Sequence, residues 1–353
     1  MYKIIIISSL ISILHGEGVW VKYGWEIFDY VIDARSTALG SATIAYNTNS
    51  VTSSIINPVH SRVTSRHISI THHSRFAGIV NSDLIGLQVK KDNRIVNINM
   101  IYEGISNIPD TRSMLLDWGN DGQFGTNDYG EGNGIIDEGE RLNSDQLKYF
   151  NQHRLGFHAS LSHQIMGMPY GLAIKLLSYS LDSHFAIGIG MDFGFIKIFR
   201  YSNIGFVIRN LPASGLIWDN GRIEGTVPSF SIGCFRNLNF LKSKTIKLNA
   251  LICLDGNLYN RHMDSPISHE DNSIDISMGI ETIFKEKLML RLGRNSLSHI
   301  TGGLGMHWDN FLIDYAFSSS NADGTLGNNH LISIGISIDW IASRFNDEYN
   351  YLF

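Results

Sequence analysis

No stretch of this 353-residue chain stays apolar for the roughly 18 residues that a membrane-spanning helix requires. That argues against a helical bundle in a membrane. It says nothing against a membrane barrel, whose strands are apolar on one face only. Charge is scarce at 17%, and the net charge of -5 withholds the basic face that nucleic acid demands. Proline is nearly missing, at 6 residues, which leaves long extended runs unbroken. No Gly-x-Ser-x-Gly elbow and no catalytic triad is apparent, so the chain is read as non-enzymatic. Cysteine is limited to Cys234 and Cys253. Their parity in consecutive strands puts the two thiols on opposite sheet faces, so both are expected to be free.

What the chain has is alternation. In His330–Asp339, Ile332, Ile334, Ile336 and Ile338 share one face of an extended strand. Ser333, Gly335, Ser337 and Asp339 share the other, because strand side chains alternate with period 2. The same pattern between turn signals predicts fourteen strands: 66–74, 83–91, 94–103, 154–165, 169–180, 185–198, 202–210, 228–237, 245–255, 273–284, 287–294, 299–308, 311–318 and 330–340. Asp192, Arg209, Lys247, Asp275, Arg291 and Asp314 all fall on the polar faces, which a lumen tolerates and lipid does not. Every second connection is short, and the long ones (104–153, 211–227, 256–272, 319–329) keep the opposite phase. A transmembrane antiparallel β-barrel of an outer membrane has this rhythm, with short periplasmic turns and long outer loops. An even strand count places both barrel ends on the periplasmic side.

The flanks fit export. Lys3, the apolar run Ile4–Leu14 and the small residues Gly16 and Gly18 read as a cleavable signal peptide over 1–18. Residues 19–62 are too long for a tail and are expected to fold into the barrel mouth as a plug or hatch. The barrel is then 63–340, with an outer insertion at 104–153, and 341–353 is a periplasmic C-terminal tail. Trp308 and Trp340 suit an interfacial girdle.

The insertion is acidic and glycine-rich. With Gly122 at position 6 of a calcium loop, Asp117 falls at 1, Asp121 at 5 and Asp128 at 12. With Gly134 at position 6, Glu131 falls at 3, Asn133 at 5, Asp137 at 9 and Glu140 at 12. Gly119 and Tyr129 occupy positions where an oxygen ligand is normal. Hard oxygen donors without Cys or His suit calcium, in a structural role that offsets the entropy of ordering a long loop.

Several segments, in order, resemble the PorV/PorQ family of outer-membrane proteins, a branch of the FadL-type fatty acid transporter barrels. Asp33-Ala34-Arg35-Ser36-Thr37-Ala38-Leu39-Gly40 is similar to the family's opening segment, and Asn57-Pro58 follows it. Asp192-Phe193-Gly194, Ile208-Arg209-Asn210-Leu211, Trp218-Asp219 and Val227-Pro228 keep its middle order. Leu312-Ile313-Asp314-Tyr315-Ala316-Phe317 and Leu326-Gly327-Asn328-Asn329-His330 resemble its close, with Leu331 in place of the usual Arg. The resemblance implies a fourteen-stranded barrel plugged by its N-terminal segment. It also implies two functions. One is service to type IX protein secretion or surface attachment, with secreted proteins as partners at the long loops. The other is FadL-like uptake of hydrophobic small molecules through a plugged lumen and a lateral opening. The small, polar lumen faces favour the first. A structural or adhesive surface protein is a third reading. In each, the chain is a monomeric barrel bathed in outer-membrane lipid.

Overall fold

The computed structural model describes residues 24–62, 67–91, 94–238, 245–258, 265–319 and 327–351. The expected signal peptide, 1–18, lies outside them. Fourteen described strands close into one antiparallel barrel. In chain order they are β1 His67–Arg75, β2 Val80–Lys91, β3 Arg94–Asp110, β4 Lys148–Ile165, β5 Met168–Leu181, β6 His184–Ile198 and β7 Ser202–Arg209. They continue as β8 Ser229–Asn237, β9 Ile246–Asn257, β10 Asn272–Phe284, β11 Leu288–Arg294, β12 Ile300–Trp308, β13 Phe311–Ser318 and β14 Asn329–Ser337. Closure is by β1 against β14, running from His67 opposite Ser337 to Ser74 opposite His330. The expected strand number, order and seal all hold.

Alternation sets inside from outside. Along β6, Ile187 and Ile189 are each 60% exposed, while Ala186 between their row and the turn is fully buried. Such an apolar outer wall is stable against lipid and would not be against water. The short turns accept left-handed backbone, as hairpins require. Met166 and Gly167, for instance, have φ of 52° and 76°. Cys253 points into the lumen and Cys234 to the outer face, and both are free.

Three boundaries differ from the sequence reading. β3 and β4 run on to Asp110 and back to Lys148, so the connection between them is 111–147 rather than 104–153. A bulge between Ile105 and Ile108 breaks the alternation there, which hid the extension. The loop after β7 contains a hairpin, Ser214–Trp218 with Ile223–Thr226, whose first strand pairs with Ala186–Ile189 of β6 and heightens the wall above the short β7. Finally β14 stops at Ser337, and Ile338–Tyr351 is a helix. Ile338 continues the series of alternating isoleucines, and alternation alone therefore extends the strand to 340. Asp339 accordingly belongs to that helix and does not line the lumen.

Candidate functional site

The lumen is occupied by residues 24–62. This segment contains three short helices, α1 Ile27–Tyr30, α2 Ala34–Ala38 and α3 Ser53–Ile56, and a tight turn at Pro58–Arg62. Asp33 caps α2 by accepting from the Ser36 amide at 2.9 Å. The apolar side chains of the segment are buried against the inner wall. Ile27, Phe28 and Ile55 pack with Leu84, Ile101 and Leu177. Leu39, Ile44 and Ile56 pack with Val207 and Leu251.

Backbone meets wall without side chains between them. A Cβ at Gly171 of β5 would lie 2.2 Å from the Val59 nitrogen. One at Gly293 of β11 would lie 2.5 Å from the Gly40 nitrogen. Glycine is the residue type that permits such an approach.

Charged side chains of the wall fasten the segment. Arg35 forms a two-pronged pair with Glu281 of β10, both contacts at 2.9 Å, and donates to the Thr48 carbonyl at 2.9 Å. Arg291 of β11 bridges Glu281 at 2.8 Å and Asp314 of β13 at 2.6 Å. The Tyr46 hydroxyl donates to Glu281 at 2.6 Å. Nearer the long loops, Glu103 accepts from the Tyr30 hydroxyl at 2.9 Å and pairs with Arg75. Lys175 of β5, held within the wall by Asp192 of β6 at 2.7 Å and Asn210 at 2.8 Å, meets the segment at the rings of Trp25 and Phe28, 5.7 and 5.4 Å from its Nζ. Arg209 of β7 donates to the Ile56 carbonyl at 3.1 Å. Charges in a low-dielectric interior persist only when paired this closely. The polar lumen foreseen from alternation is therefore largely spent on holding the chain's own segment.

A cleft of about 30 Å³, room for one or two waters, lies toward the short turns, lined by Asp33, Arg35, Thr48, Arg291, Asp314 and Ser333. A larger apolar hollow of about 510 Å³ lies on the outer wall over β9–β13. Met289 and Met306 border both spaces.

The acidic loop folds onto itself above the barrel. Leu115–Leu116 pairs with Arg141–Leu142 to close its neck. The Asp117 carboxylate accepts from the amides of Gly132 and Gly134, each at 2.7 Å. Those N–H groups, Gly134 foremost, hold its carboxyl below the usual range. Glu140 accepts from Gly119 and Asp137, each at 2.9 Å, and Asp128 accepts from Asp121 at 2.8 Å. Glu131 accepts from Gly125 and Asn127, and the Asn133 amide donates to Asp137 at 2.6 Å. All seven expected ligands thus share one interlocked loop. Among the described residues no three acidic, His or Cys side chains gather as a ready metal-ligand set. One buried carboxylate oxygen, Asp128 Oδ1, has no hydrogen-bond partner.

Sequence reasoning missed Arg35, Glu281, Tyr46 and Lys175 as fastening residues. Their partners lie up to 246 positions apart. The available signal was an arginine within the small-residue run Ala34–Ala42, opposite inward carboxylates.

No family profile and no curated protein matches this chain. Solved structures do. The toluene transporter TodX of Pseudomonas putida superposes over 91% of this chain and 100% of its own, at 13% identity and a TM-score of 0.51. The chain shares the barrel fold of that transporter. CymD, a monoaromatic hydrocarbon channel, covers 87% of this chain and 97% of its own, at 10% identity and a TM-score of 0.48. A Pseudomonas aeruginosa FadL homologue covers 87% and 98%, at 9% identity and a TM-score of 0.43. At such identities the likeness to the toluene transporter speaks for the barrel and not for a substrate.

Proposed function

We propose that this protein is an outer-membrane channel for hydrophobic small molecules, with residues 24–62 as its plug. The observation that carries the reading is a FadL-type barrel whose lumen is taken up by its own buried segment. A porin needs a water-filled bore, and the inner wall here is packed and charge-paired instead. A hydrophobic solute needs no such bore, because it partitions into apolar surfaces. TodX, which shares the fold, is a toluene transporter. The reading as a secretion or attachment accessory draws on the family resemblance and the polar lumen faces, and much of that polarity engages residues 24–62; the adhesive reading rests on the long-loop face. Mass spectrometry of the solubilised barrel separates them. Recovery of bound hydrocarbon or fatty acid is the expected result; a secreted protein recovered in equal amount, with no bound hydrophobe, would overturn it.

We further propose calcium as a structural ion of the loop, held among Asp117, Asp121, Asp128, Glu131, Asn133, Asp137 and Glu140. The unpartnered Asp128 oxygen and the all-oxygen donor set support it. Chelator should raise protease cleavage within 111–147. Cleavage unchanged by chelator sinks the proposal.

A further inference from the structure

The outer hollow lies on the half of the barrel nearest the short turns. Strand register arranges its lining in two rows. Beside Ile246 of β9, Phe284, Leu288, Met306 and Ile313 stand side by side across β10–β13. Thr282, Leu290, Leu304 and Tyr315 form the next row, farther from the turn. All eight project outward, among the apolar side chains that form the lipid-facing wall. The centre is thin because Gly305 contributes only backbone to the lining. An inward side chain there is precluded, since a Cβ would sit 2.3 Å from Asp314 and 2.6 Å from Arg291.

The β10–β11 turn, Lys285-Glu286-Lys287, adjoins the first row. Glu286 is paired with Lys247 of β9, so the turn presents the positive charge of Lys285 and Lys287. Lys285 Nζ lies 5.5 Å from the Phe284 ring that begins the hollow. One row toward the same rim, Trp308 is 63% exposed on β12, which marks headgroup depth. An apolar trough continuous with the lipid-facing wall therefore runs up to the lysine-bearing β10–β11 turn, with Asp309 in the neighbouring β12–β13 turn.

We propose that this wall holds one anionic phospholipid of the short-turn-side leaflet, an acyl chain in the hollow and its phosphate on Lys285 and Lys287. The volume lies within the 300–1,000 Å³ range of ligand sites. Chain burial supplies retention, and the lysines supply choice of headgroup. The site needs only the membrane-embedded wall and is independent of what the barrel transports.

The test uses full-length protein in detergent, titrated with phosphatidylglycerol or phosphatidylcholine and read by native mass spectrometry. The wild type should retain one phosphatidylglycerol in preference to phosphatidylcholine. Lys285→Gln and Lys287→Gln should each cut that preference about fivefold, the weight of about 1 kcal/mol per lysine at an anionic lipid surface. Leu290→Trp with Leu304→Trp fills the hollow and should lower retention of both lipids. Ile187→Trp, on the outer face of β6, should leave retention unchanged. Heat-modifiable gel mobility confirms folding. Were the tryptophan pair not to fold, the glutamine variants at the exposed turn decide alone. Undiminished phosphatidylglycerol preference in them, or equal loss in Ile187→Trp, overturns the proposal.

Discussion

Lys175 and Asp192 face each other at 2.7 Å, with side chains only 1% and 2% exposed. Alternation places both on inward faces, yet it does not pair them, because register between β5 and β6 is a tertiary fact. Removing one partner of a buried pair leaves an uncompensated charge and typically costs 3–5 kcal/mol. Lys175→Met should therefore lower unfolding stability by about that amount, read by urea denaturation in detergent micelles. Lys175→Met with Asp192→Leu should recover most of the loss, since apolar replacement of both partners is often neutral. If the double variant is no more stable than the single, the charge-pair account fails. Arg35 teaches the same lesson. The motif that contains it was visible in the sequence, but Glu281 became its partner only once the barrel closed.

At the scale of elements, legibility follows the lipid. Within the band where one face must be apolar, the fourteen strands were readable from period 2. Beyond it, where both faces meet water or other protein, the loop-side ends of β3 and β4 and the loop hairpin were not. The helix Ile338–Tyr351 was missed because its first isoleucine keeps strand phase by chance. The acidic loop was readable as donors at regular spacing, whereas its crossed bonding, with Asp117 serving Gly132 and Gly134, was not. That bonding has a pH signature. The folded loop depresses the Asp117 pKa. The stabilisation is then full above the unfolded value of about 3.9 and fades as pH falls through the lower folded value. Asp117→Asn mimics protonation and should speed amide exchange at Gly132 and Gly134 at pH 7, measured by hydrogen-exchange mass spectrometry. Wild-type exchange, corrected for its intrinsic rate, should stay slow at pH 6 and rise below pH 4. Slow exchange in the variant counts against the carboxylate as staple.

For the whole molecule, the question is whether the barrel conducts. A fourteen-stranded barrel is wider than the eight-stranded kind that side chains alone can fill, so something must occupy its interior or water will. Here residues 24–62 do so, by backbone contact at glycines, by the buried Arg35–Glu281 pair and by hydrogen bonds to Glu103 and Arg209. Two features oppose a porin: the segment's backbone is packed against the wall at Gly171 and Gly293, and Arg35, Glu281, Arg291 and Asp314 are engaged in ion pairs. In planar bilayers the wild type should show no steady ion conductance. Gly171→Leu with Gly293→Leu puts side chains where the Val59 and Gly40 nitrogens now lie, 2.2 and 2.5 Å from the added Cβ positions. The segment cannot keep both contacts, and proteolysis within 24–62 should report its displacement. The vacated lumen, lined by Glu281, Arg291, Asp314 and Lys175, should then hydrate and conduct. Steady conductance in the wild type would show that a bore already exists. A silent variant whose segment is demonstrably cleaved would show that something other than residues 24–62 seals the barrel.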